Sequence, residues 1–535
     1  DDSGWRLEIK KYPRLTEVGA WAGPDHNRLG GYYTQEDIKE IIAYGKFRNV
    51  EIIPEIEFPA HMLSAVVAYP WLSCTEQQHE VPVQHFISRD LLCVGKESSY
   101  KFLEDVLEET VNLFPSQYIN IGGDEAVYSR WQECPKCQAV MKREGLKEVS
   151  ELQGYLTNVV SDMMKKKNRT VVGWEEIIQR GKINNPVVAV FWHNVKDTIQ
   201  ATRTGHKAIL TPATHMYLDF PESKTPGEIK AATWMPPISL EKCYSMEIND
   251  YSEESTVLGV QGCFWSDQFI HGTVLQELPL LNENRSENYA EYLTFPRLIA
   301  ISEVAWSKLA NRNYSDFSKR ISSHYRKLDY KDCHYRVPEP EIVNMDKNTD
   351  GTVTFTLKSN VEGAKILYRT DGHYPHIHSA EYNAPVTVKS KDDFRAMTVV
   401  NDRHFSLPLY FAPDYSAYAA YGNFVYKWDP MKIQKQPSTM RFECTGKISG
   451  NGKYTLTFVH TGGRDAMKMG ALKVFKRDEL VAEVSNEGII NAAGNNLSYT
   501  FVIDTFEAGT PFFVEVEAYG DKGNDINGLV FIKKQ

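Results

Sequence analysis

Ile119-Asn120-Ile121-Gly122-Gly123-Asp124-Glu125-Ala126 is the stretch around which the chain is organised. Residues 118–121 are short, apolar and β-branched, the pattern of a buried strand, and a helical stretch ending at Phe114-Pro115 precedes them. Two glycines then free the backbone, and two carboxylates follow at once. In a regular strand Asp124 and Glu125 would point to opposite faces. A strand that stops at the glycines can twist and bring both into one pocket. Burying such a pair is expected to push their pKa values apart and leave one acid protonated near neutrality. Taken alone, the stretch also reads as a solvated polar turn, so the rest of the chain decides.

Strand-like and helix-like segments alternate to about residue 330. Residues 50–55 read as a strand after a helix that begins near Thr34, where Thr34 and Asp37 resemble a capping box and Ile38, Ile41 and Ile42 form the apolar stripe. Leu103, Val106, Leu107, Val111 and Phe114 predict a second helix, and Leu152, Tyr155, Leu156, Val159 and Met163 a third. Strands are expected over 170–174, 187–192, 207–211 and 257–265, and a last helix over 294–309. Repeated β-then-α units with buried strands imply a parallel sheet covered by helices. Polar and aromatic residues gather at strand C-terminal ends: Glu55, Glu57, Asp124, Glu125, Trp174, Trp192 and Trp265. That rim is the functional face of a (β/α)8 barrel. A doubly wound open sheet, the alternative, would gather them at one crevice.

The chain has 535 residues and a net charge of −10, which implies several domains and disfavours nucleic acid or an anionic membrane as partner. No apolar run approaches the ~18 residues of a membrane span. Pro338-Glu339-Pro340 is a linker. The 336–412 region that contains it alternates from residue 341 on as a small all-β domain, and 413–535 reads as a β-sandwich and possible carbohydrate-binding module. Among eight cysteines only Cys134-Pro-Lys-Cys137 is closely spaced: half a zinc site at most, a local disulfide, or plain thiols. His373, His376 and His378 have ligand-like spacing but fall in an expected turn.

Six runs resemble family 20 glycoside hydrolases, the β-N-acetylhexosaminidases: Asp1-Asp2-Ser3-Gly4-Trp5-Arg6, Pro54-Glu55-Ile56-Glu57-Phe58-Pro59-Ala60-His61, Ile121-Gly122-Gly123-Asp124-Glu125, Gly173-Trp174-Glu175-Glu176, Tyr217-Leu218-Asp219 and Phe264-Trp265-Ser266-Asp267. Phe295-Pro296-Arg297 to Ala305-Trp306 resembles the family's last helix. Order and spacing match over residues 1–335, so that region is expected to be the catalytic barrel. The resemblance implies an exo-acting retaining hydrolase of terminal β-linked GlcNAc or GalNAc on oligosaccharides and glycoconjugates, without metal or cofactor, in a secreted, periplasmic or cell-surface setting. Its mechanism is substrate-assisted, an exception to the two-carboxylate scheme. Glu125 is then the general acid, Asp124 the anion facing the acetamido nitrogen, and Tyr217 a donor to the acetamido oxygen. Trp174, Trp192, Trp234 and Trp265 would wall the pocket, and Asp219 and Asp267 would hold sugar hydroxyls. His61, with Glu57, would line the neighbouring rim.

Three departures from the family pattern stand out. Asn120 replaces a usual His and Asp267 a usual Glu, the latter favouring a 6-sulfo-GlcNAc- or disaccharide-releasing relative as an alternative. The chain begins at the end of what resembles barrel strand 2. Strand 1, most of strand 2, the family's substrate-binding arginine and its usual preceding α+β domain are therefore expected to be missing. Six strands cannot close an eight-stranded barrel, so a non-catalytic glycan-binding protein is the rival from another class.

Overall fold

The computed structural model describes residues 2–535 apart from 24–27, 84–86, 194–202, 226, 230, 233, 249–255, 267–285, 410, 412–415, 429–437, 464–465, 478, 492–495, 508–509 and 521–525. The chain divides into two compact units, Asp1–Tyr410 and Phe411–Gln535.

The first unit is built on a parallel sheet of β1 (Tyr118–Asn120), β2 (Thr170–Trp174), β3 (Val188–Phe191), β4 (Lys207–Leu210) and β5 (Val257–Val260). Spatial order equals chain order, β1-β2-β3-β4-β5, and every pairing is parallel. A doubly wound sheet reverses direction at a switch point; this one does not, so it is the wall of a (β/α)8 barrel. The 50–55 strand is shorter than its sequence suggests. Only its end pairs, through a parallel bridge of Glu55 with Asn120, Ile56 N–H on the Asn120 carbonyl (2.9 Å) and Phe58 N–H on the Ile121 carbonyl (3.2 Å).

The helices form where the apolar spacing places them. In α1 (Gln35–Phe47) the Thr34 hydroxyl accepts from Asp37 N–H while the Asp37 carboxylate accepts from Thr34 N–H, satisfying two otherwise orphaned donors. In α2 (Glu97–Leu113), Phe102, Leu103, Val106 and Leu107 are buried against Ile119 and Ile121. α3 (Pro135–Glu144) stops at Gly145, in the left-handed region that glycine adopts without strain. α4 (Glu151–Lys166) packs Leu152, Leu156 and Val160 into the same core. β3 is buried along its whole length, as a strand covered on both faces must be. α5 (Arg297–Trp306) closes this region with Ala300, Ile301 and Val304 packed beside Leu210 and Tyr217.

Residues 341–405 form two antiparallel sheets of three and four strands, within the first unit. The second unit is a pair of antiparallel sheets whose facing residues, among them Trp428, Phe458, Tyr499 and Val514, make one core. Among the described residues no helix is long and apolar enough to cross a membrane.

Candidate active site

The site begins where β1 ends. Gly122 and Gly123 have φ of +62° and +99°, so the backbone turns sharply out of the strand. Asn120 caps this turn: its side-chain oxygen accepts from Gly122 N–H at 3.0 Å. Gly123 N–H donates to the Glu57 carboxylate (3.3 Å), and the Gly123 carbonyl accepts from the Gln153 amide. Glu125 also lies in the left-handed region, at φ +51°, a strain of about 1 kcal/mol that proteins retain mainly where geometry is needed.

The turn does bring Asp124 and Glu125 together, but not against each other alone. His61 stands between them, with Nε2 3.5 Å from Asp124 Oδ2 and 3.4 Å from Glu125 Oε2. Its Nδ1 lies 3.3 Å from Asp2 Oδ2. Asp2 is fully buried and accepts from Leu63 N–H (2.9 Å) and Ser88 N–H (3.2 Å). Burial alone would push the His61 pKa down; bonds to Asp124, Asp2 and Glu125 outweigh it and hold the ring protonated well above its ordinary range. His61, Asp124 and Glu125 are close enough to surround a metal ion, but an imidazolium has no lone pair to offer one. The Asp124 side chain is 13% exposed and that of Glu125 34%, so Glu125 is the acid that an incoming ligand meets.

Three further acids lie close by. Glu57 is half-buried and shares a hydrogen bond with Glu55. Removal from water, then the charges of Asp124 and Glu55, push its carboxyl well above the usual range. Glu55 is exposed and accepts from the Trp174 indole N–H at 3.1 Å. Glu176 is pushed up to about 7 by burial first and by Asp124 next, and accepts from the Trp192 indole N–H at 3.4 Å.

The aromatic residues form a continuous wall. Trp192 and Tyr217 stack with centroids 6.2 Å apart and planes 10° from parallel. Trp234 meets Tyr217 edge-on at 6.0 Å, and Trp265 lies 6.3 Å from Tyr217 and 5.6 Å from Trp174. Trp174 and Trp192 are buried, whereas Trp234 is 56% exposed and forms the outer lip. Burial, then the charges of Cys263 and Asp124, keep the Tyr217 phenol protonated and able to donate. Asp219 is buried beside the same loop. Asp267 lies outside the described residues.

Sequence reasoning gave no role to Asp2, Gln153, Glu176 or Arg297. Asp2, Glu176 and Arg297 lie inside motif runs but have no periodicity of their own; Gln153 is one polar residue on an amphipathic helix. Arg297 on α5 is fully buried and donates to the carbonyls of Leu293 (3.0 Å), Ile238 (3.0 Å) and Leu218 (2.7 Å), fixing the segment that carries Tyr217 and Asp219. The thiols of Cys74, Cys93, Cys134 and Cys137 form a second group of potential metal ligands outside the pocket. The three histidines 373, 376 and 378 occupy an exposed loop where His376 pairs with Arg369 at 3.2 Å.

Fold and site together define a parallel barrel carrying an acid pair at the strand C-terminal rim, beside an aromatic pocket suited to a sugar ring. The chain belongs to glycosyl hydrolase family 20: the model of that family's catalytic domain matches residues 1–309, and that of the chitobiase/β-hexosaminidase C-terminal domain matches residues 346–407. A β-hexosaminidase of Porphyromonas gingivalis is 32% identical over 395 residues, covering 72% of this chain and 48% of that protein. One of Vibrio furnissii is 33% identical over 318 residues, 56% of this chain and 49% of its own length. The solved exo-β-N-acetylglucosaminidase of Vibrio harveyi, in complex with N-acetylglucosamine, superposes with a TM-score of 0.55 at 32% identity, covering 63% of this chain and 53% of that one. The chain thus spans about half the length of these relatives.

Proposed function

We propose that this chain carries the catalytic centre of an exo-β-N-acetylhexosaminidase acting on glycans that end in β-linked GlcNAc or GalNAc. The observation that carries the reading is the convergence of Asp124 and Glu125 on His61, beside the Tyr217–tryptophan wall. The sugar stacks on the indoles with its acetamido group toward Tyr217. The acetamido oxygen attacks the anomeric carbon while Glu125 gives its proton to the departing glycosidic oxygen, so the C–O bond breaks as the oxazolinium ring closes. Asp124 accepts the acetamido N–H and stabilises the positive charge that develops there; Tyr217 donates to the acetamido oxygen and orients it. Glu125, now a carboxylate, removes a proton from water as it attacks the same carbon, and configuration is retained.

The test is release of p-nitrophenol from the β-GlcNAc and β-GalNAc glycosides, with p-nitrophenyl β-glucoside as control and a thiazoline mimic of the oxazolinium as inhibitor. Hydrolysis confined to the acetamido sugars, blocked by the thiazoline and lowered about 10²- to 10⁴-fold in Glu125→Gln with a poor leaving group, supports the reading. Equal turnover of the β-glucoside, or indifference to the thiazoline, removes the substrate-assisted mechanism.

A further inference from the structure

We propose that Cys74, Cys93, Cys134 and Cys137 form a closed tetrathiolate zinc site that ties the loop after His61 to the loop after the acid pair. The sulfurs of Cys74 and Cys137 are 3.7 Å apart, those of Cys93 and Cys137 3.7 Å, and those of Cys93 and Cys134 3.9 Å. All four lie within 4.8 Å of one another. A tetrahedral ion with Zn–S bonds of about 2.3 Å has S···S edges of roughly 3.8 Å. Disulfide partners sit at about 2.05 Å, one to each sulfur. Here Cys93 and Cys137 each stand midway between two neighbours, an arrangement that surrounds a central ion and selects no pair.

The fold builds this tetrad from distant parts of the chain. Cys134 immediately precedes α3 and Cys137 lies in its first turn, with Pro135 at the first helical position. The positive end of the helix therefore faces the thiolates. An antiparallel bridge between Ser73 and Leu92, with Cys93 N–H on the Leu72 carbonyl at 2.7 Å, sets Cys74 beside Cys93. Gly95 brings the two halves into contact: a Cβ there would lie 2.3 Å from the Lys136 carbonyl carbon and 2.6 Å from the Cys137 nitrogen. Cys93, Cys134 and Cys137 are buried and Cys74 is half-buried. The ammonium of Lys96, itself buried, donates to the carbonyls of Ser73 (2.6 Å) and Trp71 (2.8 Å), next to Cys74.

On binding, four thiols release four protons and the ion gains four sulfurs, leaving a net charge of −2 that faces the positive end of α3, while Lys96 is paired with the Glu76 carboxylate at 2.7 Å. With all four positions taken by protein, the site has no place for substrate water; its role is architectural. It would clamp the same gap that Trp131 spans with its indole N–H on the Leu92 carbonyl at 2.9 Å.

The test is metal analysis of the whole chain purified without added metal, with X-ray absorption at the zinc edge and titration with an organomercurial. One zinc per chain, four sulfur ligands at about 2.3 Å and complete zinc release by four mercurial equivalents support the site. Cys93→Ser and Cys137→Ser should each lose the metal; if neither folds, the absorption spectrum of the parent decides. A metal-free chain with all eight cysteines reactive, a mass deficit matching two disulfides, equimolar iron, or zinc held by nitrogen and oxygen would each overturn it. These readouts do not involve hydrolysis, so their failure leaves the proposed activity untouched.

Discussion

The Glu57 carboxylate fills the space that a side chain on Gly122 would need: a Cβ there would stand 1.7 Å from Glu57 Oε2. The glycine is therefore demanded twice, by its φ of +62° and by the acid packed over it. Gly122→Ala is expected to destabilise the protein by more than about 2 kcal/mol and to displace Asp124 and Glu125. Urea unfolding and kcat should fall together; unchanged stability would mean that Glu57 moves aside freely.

His61 carries the charge that lets Asp2, Asp124 and Glu125 coexist. His61→Gln would leave fully buried Asp2 without its counter-charge, at about 3 kcal/mol. The folded-state pKa of His61 is raised, so its stabilisation is complete below the unfolded value of ~6.5 and declines as pH rises above it. The stability gap between parent and variant should accordingly be larger at pH 6 than at pH 8.5 in denaturant titrations, and the pH–rate profile should shift.

Glu176 acts in the same sense over a lower pH range. Its pKa of about 7 exceeds that of an unfolded glutamate, so the folded state holds the proton more tightly and loses stability as pH rises from about 4.5 to 7. That loss amounts to up to about 3 kcal/mol. Glu176→Gln keeps an acceptor for Trp192 and abolishes this slope. Unfolding measured at pH 5 and pH 8 should show the variant gaining on the parent at the higher pH only.

Arg297→Met would strand the three carbonyls that the guanidinium holds and leave Glu222, 3.7 Å away, without a partner on that side. A loss of about 3–5 kcal/mol is expected, visible as a lower Tm. Where the variant still folds, KM should rise, because the Leu218 carbonyl positions the Tyr217 loop. Arg297→Lys should recover little, since one ammonium cannot span all three acceptors.

The barrel was legible because its signals are local. The Thr34–Asp37 capping box, the stripe of α2 and the 170–174 strand each lie within one window of sequence, and the structure holds all three. Trp174 and Trp192 were legible by their place at strand ends, Trp174 closing β2 and Trp192 following β3, whereas Tyr217 and Trp234 were named only through the family resemblance. The 50–55 run misled because β-branched residues fit a pleat whether or not a neighbour pairs with it; pairing starts only at its end. The partners of His61 were hidden for another reason. Asp2 is far away in sequence, and a run of matching residues says nothing of which side chains touch. The cysteines show the same limit: the Cys134–Cys137 spacing is visible, but Cys74 and Cys93 join only through the fold.

Asp2 is sealed from solvent beneath His61. Dissolved salt weakens charge interactions that ions can surround, over a Debye length of about 8 Å at physiological strength, but it cannot enter a dry pair. The attraction between Asp2 and His61 is therefore written into the polypeptide and not borrowed from the medium, and it changes little between fresh water and brine, whereas the field at Glu125, 34% exposed, is open to screening.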